Sequence, residues 1–147
     1  GKESDSVKRW LKEKRAFIPK TDTIRTSTTD VVKSLRLLLA SNPENEMARD
    51  YLLCLHLLAK NLPAFIEDYP KQPGKAPKRL YAEALMIDLV RHHASGKEIQ
   101  ETIVDPTVVQ DFKEYTRLHR QSKGTPQALT GKFGKTYWFY YHFAQNQ

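Results

Sequence analysis

Three groups of residues in this 147-residue chain have the types and spacing to do chemistry. The first is Gly134-Lys135-Thr136, inside the segment Gly131 to Thr136. A phosphate-binding loop of this kind wraps anionic oxygens in backbone N–H groups and needs a second glycine five residues before the triplet, after a strand. That position holds Leu129, and no strand pattern precedes it. A glycine-containing turn before a last helix accounts for the residues better.

The second group is His56, His92, His93, His119 and His142 with nearby carboxylates. His92 follows Asp88 by one helical turn, so the two can meet on a helix face. A catalytic metal asks for about three convergent ligands, and His93 projects about 100° away from His92. Asp111, Glu114 and Tyr115 can be written as an acid/base set. Acids early in a helix opened by Pro106 already have a role against the helix dipole. Cys54 lies in an apolar run, where a reactive thiolate is disfavoured. No catalytic residue, metal site or cofactor is expected, and the chain reads as a non-enzyme. An enzyme would require a pocket gathering Asp88, His92 or His119.

The third group is aromatic. Seven Phe, Tyr or Trp residues fall between Lys132 and Gln147. At helical spacing Tyr137, Tyr140 and Tyr141 share a face, while Trp138 and Phe139 point elsewhere. Such a helix either caps the end of the helices before it or offers a partner a surface of large rings with polar tips. The candidate partner-binding residues are therefore Lys132, Lys135, Tyr137, Tyr140 and Tyr141. Weaker candidates are Asp50, His56, Glu83 and Arg91, on first helices of the expected hairpins. Nucleic-acid bases could stack on the same rings, but no fold that binds single strands is indicated.

The elements that must position these groups are helices. Hydrophobic content of 39% and charge of 28% fit a globular chain, and its length fits one domain. No apolar run is long enough to span a bilayer, a single cysteine excludes an intrachain disulfide, and Gly1 reads as a cloning remnant. The net charge of +7 concentrates near the start: seven basic residues against two acidic ones lie between Val7 and Arg25. A basic arm of this kind suits solvent, anionic headgroups or nucleic acid.

Helical spacing of apolar residues dominates throughout. A first helix ends near Arg15, and Thr29 or Asp30 caps the next. Asn42 caps a third, with Pro43 in its first turn, and the stripe after Met47 is wide enough for a central helix. Pro63 starts a brief helix, Pro77 a long one ending at Gly96, and Asp105-Pro106 another. Pro43 and Pro77 lie 34 residues apart, and that offset aligns Ala48 with Ala82, Leu52 with Met86, Leu53 with Ile87 and Phe65 with Ile99. This is the period of tetratricopeptide repeats. The expected fold is all-α, with six to seven helices in stacked helical hairpins. Residues 1–28 form a basic arm with a short helix, and residues 29–147 a helical-repeat domain ending in an aromatic capping helix.

The stretch from Ala48 to Lys60 leading into Phe65, the segment Arg79 to Leu85, and Thr136 to Tyr141 carry a resemblance. They resemble the soluble C-terminal, tetratricopeptide-like part of a family of uncharacterised multi-span bacterial membrane proteins, over roughly residues 45–143. The resemblance implies a truncated, membrane-tethered parent with the basic arm near the bilayer, and it supplies no catalytic residues. The expected function is a non-catalytic protein-interaction or scaffolding module, associated with a membrane on a side left open. Its partner is a protein, a peptide or the missing membrane portion of its own chain. The alternative is a nucleic-acid-binding helical domain that uses the basic arm.

Overall fold

The computed structural model describes residues 24–70, 72 and 74–144. The basic arm and the helix expected to end near Arg15 lie outside the described residues, apart from the segment that opens the first described helix. The described chain is all-helical. It forms eight helices, not six or seven: α1 Ile24–Ser41, α2 Glu46–Leu58, α3 Leu62–Asp68, α4 Arg79–Arg91, α5 Gly96–Thr102, α6 Pro106–Gln121, α7 Pro126–Phe133 and α8 Tyr137–Phe143. The chain divides after Asp68 into two compact units.

Several boundaries move from their expected places for local reasons. α1 starts at Ile24 rather than at a Thr29 or Asp30 cap, because neither proline nor glycine interrupts the chain between Pro19 and Pro43. α2 is capped by Asn45, not Asn42. The Asn45 side chain accepts from the Ala48 N–H at 3.1 Å, while Asn42 closes the preceding turn. α4 begins at Arg79, two residues after Pro77. Gly96 opens α5 instead of ending α4, because Ser95 and Glu98 form a reciprocal capping box just before it.

The long helices α2, α4 and α6 end alike. Lys60, His93 and Lys123 adopt left-handed backbone with φ of 56°, 54° and 54°. In each case this residue's N–H bonds the carbonyl three residues back, and the next N–H reaches the carbonyl five back, for instance Lys60 to Leu57 and Asn61 to His56. This closure satisfies carbonyls that a helix end leaves open. A short helix follows each turn. The three long–short pairs therefore recur with their turns 33 and then 30 residues apart. The second interval is three residues shorter than the first.

In the first unit α2 packs against α1 and α3. Leu35, Ala48 and Leu52 form its centre, with Val31, Leu38 and Leu55 around them. In the second unit α4 is enclosed by α5, α6 and α8, and every residue from Tyr81 to Ile87 is buried. The wide apolar stripe predicts a central helix for α2, and α2 lies between α1 and α3, although it leaves Leu58 61% exposed. Ala82 and Ala84, on different faces of α4, let neighbours approach from more than one side. α7 completes the unit by packing on α6 and α8.

Candidate functional site

The second unit has two polar sites, one at each end of α4. At its first end Glu83 is a buried carboxylate. Glu83 Oε2 accepts from Arg79 Nε at 2.8 Å, and Oε1 accepts from the Tyr137 backbone N–H at 2.9 Å. Its main-chain carbonyl accepts from the Trp138 indole at 2.8 Å. One residue thus ties α4 to the start of α8, where free N–H groups need acceptors. Thr136 supplies a second cap, its hydroxyl accepting from Phe139 N–H. Arg79 also donates to Asp111 at 3.0 Å and lies 5.6 Å from the centre of the Trp138 ring. Burial opposes the charge of Arg79, but bonds to Glu83 and Asp111 outweigh it and raise its pKa.

At the other end, α4, α6 and α8 border an open groove of about 520 Å³, within the size range of ligand clefts. Ile87, Val90, Phe112 and Tyr115 supply its apolar walls. Arg91, His119, Arg120, Tyr141 and His142 supply its polar lining. The groove is open to solvent, and Val90 is 43% exposed. Arg91 Nη1 donates to Tyr141 Oη at 2.9 Å. The His119 and His142 rings lie 5.2 Å apart. Tyr115 Oη sits 2.7 Å from His142 Nδ1 and 3.3 Å from the Trp138 carbonyl. Burial pushes the Tyr115 phenol up to about 12.

The structure sorts the sequence candidates accordingly. Tyr141 lines the groove. Tyr137 is buried instead of outward-facing, and burial raises its pKa. Tyr140 is half-buried. Lys132 is exposed and paired with Glu114 at 2.5 Å, and Lys135 is exposed. Among the weaker candidates, Arg91 reaches the groove and Glu83 is consumed by the joint to α8. His56 is buried in the first unit, its Nε2 2.6 Å from Asp68, which also takes a forked contact from Arg36. Asp50 is half-buried on α2.

The candidate chemistries separate in space. Asp88 stays with His92 at 3.4 Å, while only His119 of the expected pocket residues reaches the groove. Asp111, Glu114 and Tyr115 face different partners. Among the described residues no group of three His, Cys, Asp or Glu is placed to hold a metal ion. Gly131 lies within α7, and Gly134 serves the tight turn after it: an added Cβ there would sit 2.5 Å from the Thr130 carbonyl oxygen.

Sequence reasoning missed Phe112, Arg120 and the pairing of His119 with His142 as a set. Phe112, His119 and Arg120 share α6, but His142 belongs to α8, and the set meets only through helix packing.

The model of a family of unknown function, DUF6057, matches residues 2–144. The chain belongs to this family. No curated protein and no solved structure matches the chain. Among the described residues no helix is long and apolar enough to cross a membrane. Family membership assigns no chemistry, so the groove's own residues must carry the functional reading.

Proposed function

We propose that this member of the family is a non-catalytic protein-interaction module whose binding site is the groove between α4, α6 and α8. The carrying observation is an apolar floor left open to water beside outward guanidinium groups, with Val90 partly exposed at its edge. An open groove with apolar anchor points and few polar contacts is how a peptide side chain is received. Tyr141 is the member of the aromatic terminus that contributes directly; Tyr137 and Trp138 hold α8 in place behind it. The recurring long–short hairpins support a tetratricopeptide-like description. The resemblance to multi-span membrane proteins and the basic stretch from Val7 to Arg25 support a site near an anionic membrane surface.

The test is capture from a membrane-containing bacterial lysate, comparing the native chain with Val90→Asp, with and without nuclease. A protein retained by the native chain through nuclease treatment and lost by Val90→Asp supports the groove. Equal capture by both chains refutes it. The basic stretch favours a second reading, nucleic-acid binding. That reading predicts capture that nuclease abolishes and added salt weakens steeply.

A further inference from the structure

The groove's charge is one-sided. None of its lining residues is acidic, and it carries Arg91 and Arg120. This does not follow from a shortage of acids, since the second unit's described residues include seven carboxylates. Each is engaged elsewhere. Glu83 and Asp111 hold Arg79, Glu114 holds Lys132, Glu101 meets Lys97, and the Asp88 carboxylate lies 3.4 Å from the His92 ring. Glu98 and Asp105 cap helices. No carboxylate of the described residues pairs with Arg91 or Arg120.

Helix ends do not account for the surplus. Arg91 and Arg120 sit in the last turns of α4 and α6, where cations offset the helix dipole. Even with the last turn of α8, whose Tyr141 and His142 also line the groove, three such ends contribute at most about −0.5 charge each, against two full positive charges. The left-handed turns at His93 and Lys123 also donate N–H groups to the terminal carbonyls of these helices. A net positive charge remains over the groove, beside an apolar floor.

We infer that the groove binds an acidic peptide segment, in which a large apolar side chain seats on Val90, Ile87 and Phe112 and a neighbouring carboxylate is taken by Arg91 and Arg120. This rests on the groove reading above and names the chemistry of the partner. Arg91 spends one of its guanidinium donors on the Tyr141 phenol, which orients the group while leaving a fork for a carboxylate. The open side of the groove suits a side chain presented from a backbone, which keeps its far edge in water. A free acyl chain would leave much of its length exposed there.

The experiment is selection from a random displayed heptapeptide library against the full chain, run beside the Arg91→Gln/Arg120→Gln double variant and Val90→Asp. Circular dichroism and thermal melting would check that the variants keep the native fold. The expected result is enrichment of sequences with Leu, Ile, Phe or Trp next to Asp or Glu. The acid preference should vanish in the double variant, and all enrichment in Val90→Asp. A selected peptide, measured by fluorescence polarisation, should bind the double variant at least tenfold more weakly, while Lys132→Gln leaves it unchanged. Apolar peptides enriched without an acid preference overturn the inference and leave the groove reading standing. No enrichment at all, or enrichment indifferent to Val90→Asp, overturns both. Retention on phosphatidylserine vesicles through the same two arginines, with no peptide enriched, overturns the inference in favour of a lipid headgroup.

Discussion

The two ends of α4 each carry an arginine, and they use it in opposite ways. Arg79 lies between Glu83 and Asp111, over the Trp138 ring, and its charge is matched within the unit. Among the described residues Arg91, less than four turns later, meets only a neutral phenol. The first end is closed by satisfied hydrogen bonds, and among the described residues no buried side-chain nitrogen or oxygen lacks a partner. The second end keeps its donors in water beside apolar rings. The lesson is one of division of labour along a single helix. Buried charge is expensive unless matched, so the enclosed end spends its carboxylates on structure, and only the open end can keep cations available for another molecule.

The strongest way to break this contrast is at Glu83. Glu83→Ala leaves Arg79 short of a partner and removes the acceptor for the Tyr137 N–H, so urea denaturation should show a loss of about 3 kcal/mol. Glu83→Gln, which keeps an acceptor, should lose less. An equal loss would mean that packing, not the α8 joint, sets the cost.

Alkaline titration probes both ends through their phenols. Burial raises the Tyr115 and Tyr137 pKa values, Tyr115 to about 12. Between pH 10 and 12 the unfolded chain gives up protons that the native state keeps. Stability should therefore be fully present below pH 10 and fall as pH rises. Tyr115→Phe should flatten that fall in a pH series of melting curves, and an unchanged slope would assign the loss elsewhere.

A smaller effect is expected at Thr136, whose hydroxyl caps α8 beside Glu83. Thr136→Ala should cost about 1 kcal/mol by denaturation. At the open end, His93→Gly should stabilise by roughly 0.5–1 kcal/mol, because a side chain in left-handed backbone is disfavoured. A destabilised His93→Gly chain would show that the imidazole itself contributes. Smallest of all, Arg91→Gln/Arg120→Gln should leave stability within about 0.5 kcal/mol, as for exposed positions without an internal charge partner. A larger loss would make the open end structural too, and would erase the contrast.

Local patterns read well from the chain. Apolar spacing gives helices over nearly all the described residues, and Asp105-Pro106 starts α6 as expected, with Asp105 accepting from Thr107 N–H at 2.9 Å. The 34-residue offset pairs Ala48 with Ala82 and Leu53 with Ile87, all buried. Boundaries were less legible where two caps compete, as at Asn42 against Asn45 or Gly96 against His93. There the choice depends on which side chain reaches a free N–H, a matter of backbone geometry.

Of the candidate site, Tyr141, Arg91 and His119 were visible as residues but not as neighbours. Tyr137 and Glu83 were visible as polar groups on helix faces, with nothing to show that they bury each other. By itself the sequence determined the helical class, the hairpin recurrence and the basic excess, because these follow from spacing and composition within a few turns. Only the tertiary structure decided which carboxylates neutralise which cations. Ion pairs are set by distances between helices far apart in the chain, and it is that matching which leaves Arg91 and Arg120 over.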